Sequence, residues 1–119
     1  MSRQLGQAAE QRACAELQRH GLRLLARNFS SRHGELDLIM QDGAELVFVE
    51  VRMRRQASHG GAAASITATK RQRLVRTAAL WLQQNPQLSR QPCRFDVVSV
   101  EGPAGHGSLQ WIRAAFEAD

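Results

Sequence analysis

Two acidic residues on facing stretches of one hairpin are where chemistry gathers first in this sequence. The segments GELDLIM (34–40) and ELVFVEVRM (45–53) flank Gln41, Asp42, Gly43 and Ala44, and the Asp-Gly pair predicts a β-hairpin over residues 34–53. Leu36, Leu38 and Met40 share one face of its first strand, and Val47, Val49, Val51 and Met53 share one face of its second. Burying both sets together requires opposed residue numbers to sum to an odd value, because a one-residue slip sends every valine to the other face. The remaining face then collects Glu35, Asp37, Glu50 and Arg52. Asp37 falls opposite Glu50 or on its diagonal, within about 8 Å.

Paired carboxylates on rigid neighbouring strands suit a hard divalent cation, which takes oxygen ligands at about 2.0–2.1 Å when it is magnesium and leaves its other positions to water and phosphate. That chemistry is phosphodiester hydrolysis. The plainer alternative is a solvated strand face laced with ion pairs, since antiparallel sheets often keep one face wet. Against it stands VFVEV (47–51), apolar at every position but one, as in a strand covered on both sides, so Glu50 is expected to be buried and to need a partner. Glu10 offers a third carboxylate. On a helical wheel it lies between Cys14 and Leu17, beside Gly6 and Ala13, on the side that faces a sheet, although an acid at the edge of such a stripe can also reach solvent or pair with an arginine.

The elements that must position these acids follow from periodicity. Ser2 to Gly21 reads as an amphipathic helix with Leu5, Ala9, Ala13 and Leu17 as its stripe. LRLLARNF (22–29) reads as an edge strand with Leu22, Leu24 and Ala26 on one face. After the hairpin, residues 54–65 have no period and contain adjacent glycines, which predicts a mobile loop. A second helix spans Ile66 to Asn85, with Leu74, Ala78, Trp81 and Leu82 inward and Pro86 beyond its end. CRFDVVSV (93–100) is a further strand, Gly102 to Gly107 a turn-rich loop, and LQWIRAAF a closing element of either type. The expected order is αβββαβ and a tail: an α/β fold with a central mixed sheet flanked by helices.

At 119 residues the chain has the length of one domain, and 43% apolar with 23% charged residues is the balance of a packed globular protein. No apolar run is long enough to span a bilayer and the N-terminus lacks a signal-peptide pattern, so a cytoplasmic protein without a membrane partner is expected. Cys14 and Cys93 stand apart with no CxxC, and both are expected to be buried free thiols. Sixteen basic against eleven acidic side chains give a net charge of +5, which favours a polyanionic partner. Fifteen of the sixteen are arginine, and a charged helix face can also serve solubility alone. Four Phe, two Trp and no Tyr make base stacking a poor basis for recognition, leaving contacts to a nucleic-acid backbone. Arg54, Arg55, Lys70, Arg71, Arg73 and Arg76, with the flexible His59, Gly60 and Gly61, are the candidate phosphate contacts. His33 is expected in a turn, and Arg94 with Asp96 as a structural ion pair. No HExxH, no glycine-rich loop ending in Gly-Lys-Ser and no serine or cysteine beside a base is present, which sets those chemistries aside.

Gly6 with Glu10, then ARNF, GELDLI, VFVEVR, TATKRQRL and RFDVVSV together resemble the YraN family of small bacterial proteins, over about residues 3–116. That family is similar in its motifs to the restriction-endonuclease-like superfamily with its PD-(D/E)XK signature, and to archaeal Holliday-junction resolvases. The resemblance implies a restriction-endonuclease-like core in which Asp37 is the signature Asp, Glu50 the signature Glu, Glu10 the helix acid and Glu35 the acid two residues before Asp37. It implies Mg2+ or Mn2+ held by Asp37, Glu50 and Glu10, a DNA partner, and, by analogy with resolvases, a homodimer. The family pattern has lysine two residues after the signature Glu, whereas this chain reads Glu50, Val51, Arg52. Arg52 keeps the charge but is a planar fork rather than a compact ammonium. Two readings follow: a metal-dependent endonuclease acting on branched or duplex DNA, with Asp37, Glu50, Glu10 and Arg52 as its catalytic set, or a non-catalytic DNA-binding or scaffolding module that keeps the fold.

Overall fold

Seven regular elements and one short 3-10 turn follow one another in the computed structural model, which describes residues 3–54, 66–102 and 107–118, with side chains from Gly6 onward. The expected mobile loop from residue 55 on, Arg55, His59, Gly60 and Gly61 included, and the middle of the 102–107 turn lie outside the described residues.

Helix α1 (Arg3–Arg19) stops at Gly21, whose φ of 93° is open to glycine at little cost. There Leu22 N–H donates to the Leu17 carbonyl and Gly21 N–H to that of Gln18, closing the orphaned carbonyls of the last turn. Strand β1 (Arg23–Ser31) lies at the sheet edge, as expected, and is followed by β2 (Gly34–Asp42) and β3 (Glu45–Arg54), which Gly43 and Ala44 join as a tight hairpin. His33 lies in the turn before β2, its N–H held by Ser31 Oγ. Helix α2 (Ala68–Gln84) begins at an N-cap, Thr67, whose side chain accepts from Lys70 N–H, and it carries the chain across one face to β4 (Cys93–Glu101). The closing segment is a strand, β5 (Leu109–Phe116), antiparallel to β4, so the order is αβββαββ.

The five strands form one mixed sheet in chain order, antiparallel except for β3 beside β4. A crossover connection through a helix is what such a parallel pair requires. Helix α1 covers one face, packing Ala9, Ala13, Cys14 and Leu17 on Leu38, Met40, Val47, Val49, Val98 and Val100. Helix α2 covers the other, with Leu74, Ala78 and Trp81 on Ile39, Leu46, Phe48, Phe95 and Val97. Leu46 through Glu50 are all buried, so the reading of β3 as covered on both sides holds.

The hairpin register has the odd sum that the valines demand: Leu38 faces Val49 and Met40 faces Val47. Leu36, however, does not share a face with Leu38 and Met40. It packs under α2 with Phe48, because the pleat breaks at Asp37, opposite Asn28, whose φ of 51° puts a left-handed residue into β1. A second irregularity between Leu24 and Ala26 moves Ala26 to the α2 side, away from Leu22 and Leu24. Cys14 is buried as expected, but Cys93 is exposed, because it is the first residue of β4 and stands outside both cores. Both thiols are free. Leu82 is only half-buried, since helix α2 turns that position toward the rim of its core.

Candidate active site

Backbone pairing between β2 and β3 stops at Leu38 and Val49, and the strands part beyond it. A Val51 N–H left by such a break must find another acceptor. The Asp37 carboxylate supplies it, with Oδ2 at 2.8 Å. The break that turns Leu36 to the opposite face is thus the same feature that draws the Asp37 side chain in against β3. Glu50 is carried by the fully covered part of β3, on the face with Leu46 and Phe48, and is 6% exposed.

The two carboxyls meet in a hydrogen bond. Burial pushes Glu50 up to about 8, the neighbouring Asp37 charge adds to the rise, and Lys70 and Arg52 oppose it. Burial also raises Asp37, against the Val51 N–H, the Glu50 hydroxyl and the Lys70 charge that stabilise its anion. Both carboxyls therefore favour their protonated forms, and the two titrate as one pair that holds a shared proton more readily than isolated carboxylates would. Glu10 reaches the same neighbourhood from α1 and hydrogen-bonds the Asn28 side chain. Partial burial lifts its carboxyl to about 7, with the Asp37 and then the Glu35 charge adding to the rise. Glu35 itself is exposed at the start of β2. Among the described residues no three acidic, histidine or cysteine side chains close into a ready-made metal cage. The site is a two-carboxylate pair with a third acid nearby, and magnesium is commonly held by one or two protein carboxylates with water and phosphate completing its shell. Asp37 and Glu50 fit that demand, and loading would expel their shared proton.

Two cations face the pair. Arg52 Nη1 lies 4.0 Å from Glu50 Oε2, and Lys70 Nζ, from the first turn of α2, lies 3.5 Å from the same oxygen. Sequence reasoning placed Lys70 among the phosphate contacts and missed this closer role. The sequence signal was partial: a cation three residues after an N-cap, with nothing local to say which sheet face its helix covers.

The other basic candidates divide among separate places. Arg73 and Arg76 line a cleft of about 510 Å3 with Ser30, Ser31, Arg32, His33, Gly34 and Glu35, where α2 passes over the β1–β2 turn. Arg71 turns away, its guanidinium 5.5 Å from the centre of the Phe116 ring. Arg54 is half-buried at the end of β3, its carbonyl accepting from Gly102 N–H. Arg94 and Asp96 form the expected structural pair at 3.0 Å on β4, where Asp96 stands beside Val49 in register, and Asp42 and Glu45 join the pair. No helix among the described residues is long and apolar enough to cross a membrane.

A family model described as "Uncharacterised protein family UPF0102" matches residues 9–100, which hold Glu10, Asp37, Glu50, Arg52 and Lys70. A UPF0102 protein of Pseudomonas aeruginosa (strain LESB58) is 52% identical over 119 residues, covering 98% of this chain and 95% of its own. One from Ectopseudomonas mendocina (strain ymp) is 53% identical over 114 residues, covering 96% and 95%. Another, from Stutzerimonas stutzeri (strain A1501), is 49% identical over 117 residues and covers 98% of both chains. With matches of this identity running nearly end to end, the chain belongs to the UPF0102 (YraN) family.

Proposed function

We propose that this protein is a nucleic-acid-binding, endonuclease-like protein with a restriction-endonuclease-like core, cleaving phosphodiesters in branched or duplex DNA with Mg2+ or Mn2+. The observation that carries the reading is the Asp37–Glu50 pair, Glu50 buried and Asp37 half-buried, brought together where two strands part and faced by Lys70 and Arg52. A pair arranged for structure alone is usually saturated by donors, whereas Glu50 meets its two cations only at 3.5 and 4.0 Å.

In this reading Asp37 and Glu50 would hold the metal, which when bound would supply Lewis-acid polarisation of a phosphate and lower the pKa of a water. Glu10 accepts a hydrogen bond from water at the edge of the site, and Arg52 steadies a phosphate oxygen. Hydrolysis joins the water oxygen to phosphorus and breaks one phosphorus–ester oxygen bond. One water proton goes to solvent, and the departing oxygen gains one. The cleft of Arg32, His33, Arg73 and Arg76 holds the backbone beside the site by charge, as a chain poor in aromatic residues requires. A cytoplasmic location belongs to the same reading, and a second copy of the chain is the partner that a two-strand cleavage would need.

The arginine at position 52, where the related signature has lysine, favours one competing reading: a DNA-binding or scaffolding module without turnover. Incubating wild type and Asp37→Asn with duplex, forked and four-way DNA in Mg2+ or Mn2+ separates the two. The nuclease reading expects cleavage by wild type alone. Tight DNA binding without cleavage under either metal contradicts it and leaves the module.

A further inference from the structure

We propose that Lys70, and not Arg52, is the site's catalytic cation: its ammonium, delivered from the covering helix, orients the attacking water and neutralises charge developing on the phosphate. The inference rests on the nuclease reading above and assigns a residue that the strand signature does not contain.

Three observations converge on it. Lys70 is the single lysine among sixteen basic side chains, and it stands against the acid rather than on the open helix face. Its Nζ is closer to Glu50 Oε2 than any Arg52 nitrogen is, 3.5 against 4.0 Å. Its backbone is also fixed: Lys70 N–H donates to the Thr67 side chain at 3.1 Å, and buried Ile66 anchors the chain just before that cap. The side chain thus starts from a set point and descends onto the pair, while its exposure of 39% leaves room for water and phosphate beside it.

The chemistry separates the two cations. An ammonium is a compact charge with three donors that can turn toward a water and a phosphate oxygen together, whereas guanidinium is a planar fork suited to holding a phosphate at two oxygens. Arg52, two residues after Glu50 on the same strand and on the same face, is placed for that holding role. The arrangement restores an acid–acid–lysine group with the lysine carried by α2.

The placement has a second consequence, independent of turnover. Lys70 and a metal ion are attracted to the same Glu50 oxygen, so the ammonium weakens metal binding by repulsion. Removing the charge should tighten that binding, whereas a residue that merely supported the fold should loosen it or leave it unchanged.

The test compares wild type, Lys70→Met, Lys70→Arg and Arg52→Met, each shown to be folded by its melting transition. Single-turnover cleavage of four-way DNA is measured with the protein in saturating excess over the DNA, and Mn2+ affinity is measured by calorimetry. Lys70→Met should slow cleavage by about 100-fold or more, the scale for losing one oriented donor. It should also tighten Mn2+ several-fold. Lys70→Arg should keep wild-type Mn2+ affinity, since the charge remains, yet recover little of the rate. Arg52→Met should weaken DNA binding and slow cleavage at saturation by less than Lys70→Met does. Loss of rate in Arg52→Met with wild-type rate in Lys70→Met overturns the assignment, as does unchanged or weaker Mn2+ binding in Lys70→Met. If wild type binds Mn2+ but cleaves nothing, the nuclease reading fails and the catalytic assignment with it. A wild type that cleaves beside an equally active Lys70→Met sinks this inference alone.

Discussion

Two aspartates on this sheet do the same backbone work in different company. Asp37 takes the Val51 N–H where β2 and β3 part, and Asp96 takes the Ala114 N–H where β5 bulges away from β4, Ala114 itself sitting at a φ of 50°. Each carboxylate fills a gap in a ladder. Asp96, fully buried, also accepts from Trp111 Nε1 at 2.9 Å and from Arg94 Nε and Nη2. Asp37 has a second acid instead, and the pair's cations stand at 3.5 and 4.0 Å from Glu50 on half-exposed side chains. One region spends its acid on the fold, and the other leaves a proton where a metal ion could sit. The difference teaches that burial of an acid does not mark function; the count of donors around it does.

Breaking the saturated region should have the largest effect. Asp96→Ala leaves the Trp111 and Ala114 donors without their acceptor and should lower stability by about 3–5 kcal/mol, read from denaturant melts. Asp37→Asn should cost far less, because the amide oxygen can still accept from Val51. A comparable loss from both would erase the contrast.

Glu50 sharpens it from the other side. Its carboxyl titrates at about 8 in the folded protein against an ordinary 4.5, so the native state holds a proton that the unfolded chain releases over that interval. Stability should therefore fall as pH rises from about 4.5 to 8, and Asp37, raised as well, contributes with the same sign. Glu50→Gln should remove most of this slope. At pH 8.5 it should be more stable than wild type by about 1–3 kcal/mol, converging with it near pH 5. A Gln variant that is less stable at every pH would mean that the acid is structural.

These contrasts show what the sequence could and could not reveal. The hairpin, its register and the buried setting of Glu50 were legible. Val47, Val49 and Val51 recur at every second position and share a face with Leu38 and Met40 in only one parity of register. The apolar run around Glu50 marks a strand covered on both sides. The break at Asn28 and Asp37 was not: a pleat that fails at one residue leaves no mark in a two-residue period, so Leu36 was assigned to the wrong face. The last strand was ambiguous for the same reason, since Arg113 to Ala115 bulge where β5 passes Asp96. Lys70 was visible as a charge, but its meeting with Glu50 depends on how α2 crosses the sheet, which no local pattern encodes.

Smaller effects probe the surroundings of the pair. Replacing Arg73 and Arg76 together by glutamine should reduce the salt dependence of DNA binding by roughly two units of log–log slope, at about 0.9 for each phosphate that goes unneutralised. Arg71→Gln should change that slope little, because its guanidinium is engaged over Phe116. An equal drop from all three would place the DNA-binding surface along the whole helix. The cysteines offer the mildest test. Cys93 should react with a thiol reagent in the native protein, more slowly near neutral pH than a free thiol because partial desolvation and the Glu45 charge push its thiol up, and faster as pH rises. Cys14 should react only on unfolding.

The central claim is that the Asp37–Glu50 pair is a cation site in waiting. Calorimetric titration of Mn2+ into wild type, Asp37→Asn and Glu50→Gln at pH 7 and pH 8.5 tests it most directly. The account predicts one site in wild type, with more protons released at the lower pH and tighter binding at the higher, as the shared proton is displaced. It also predicts affinity at least about tenfold weaker in each variant. No saturable binding in wild type, or equal binding in all three proteins, would contradict it.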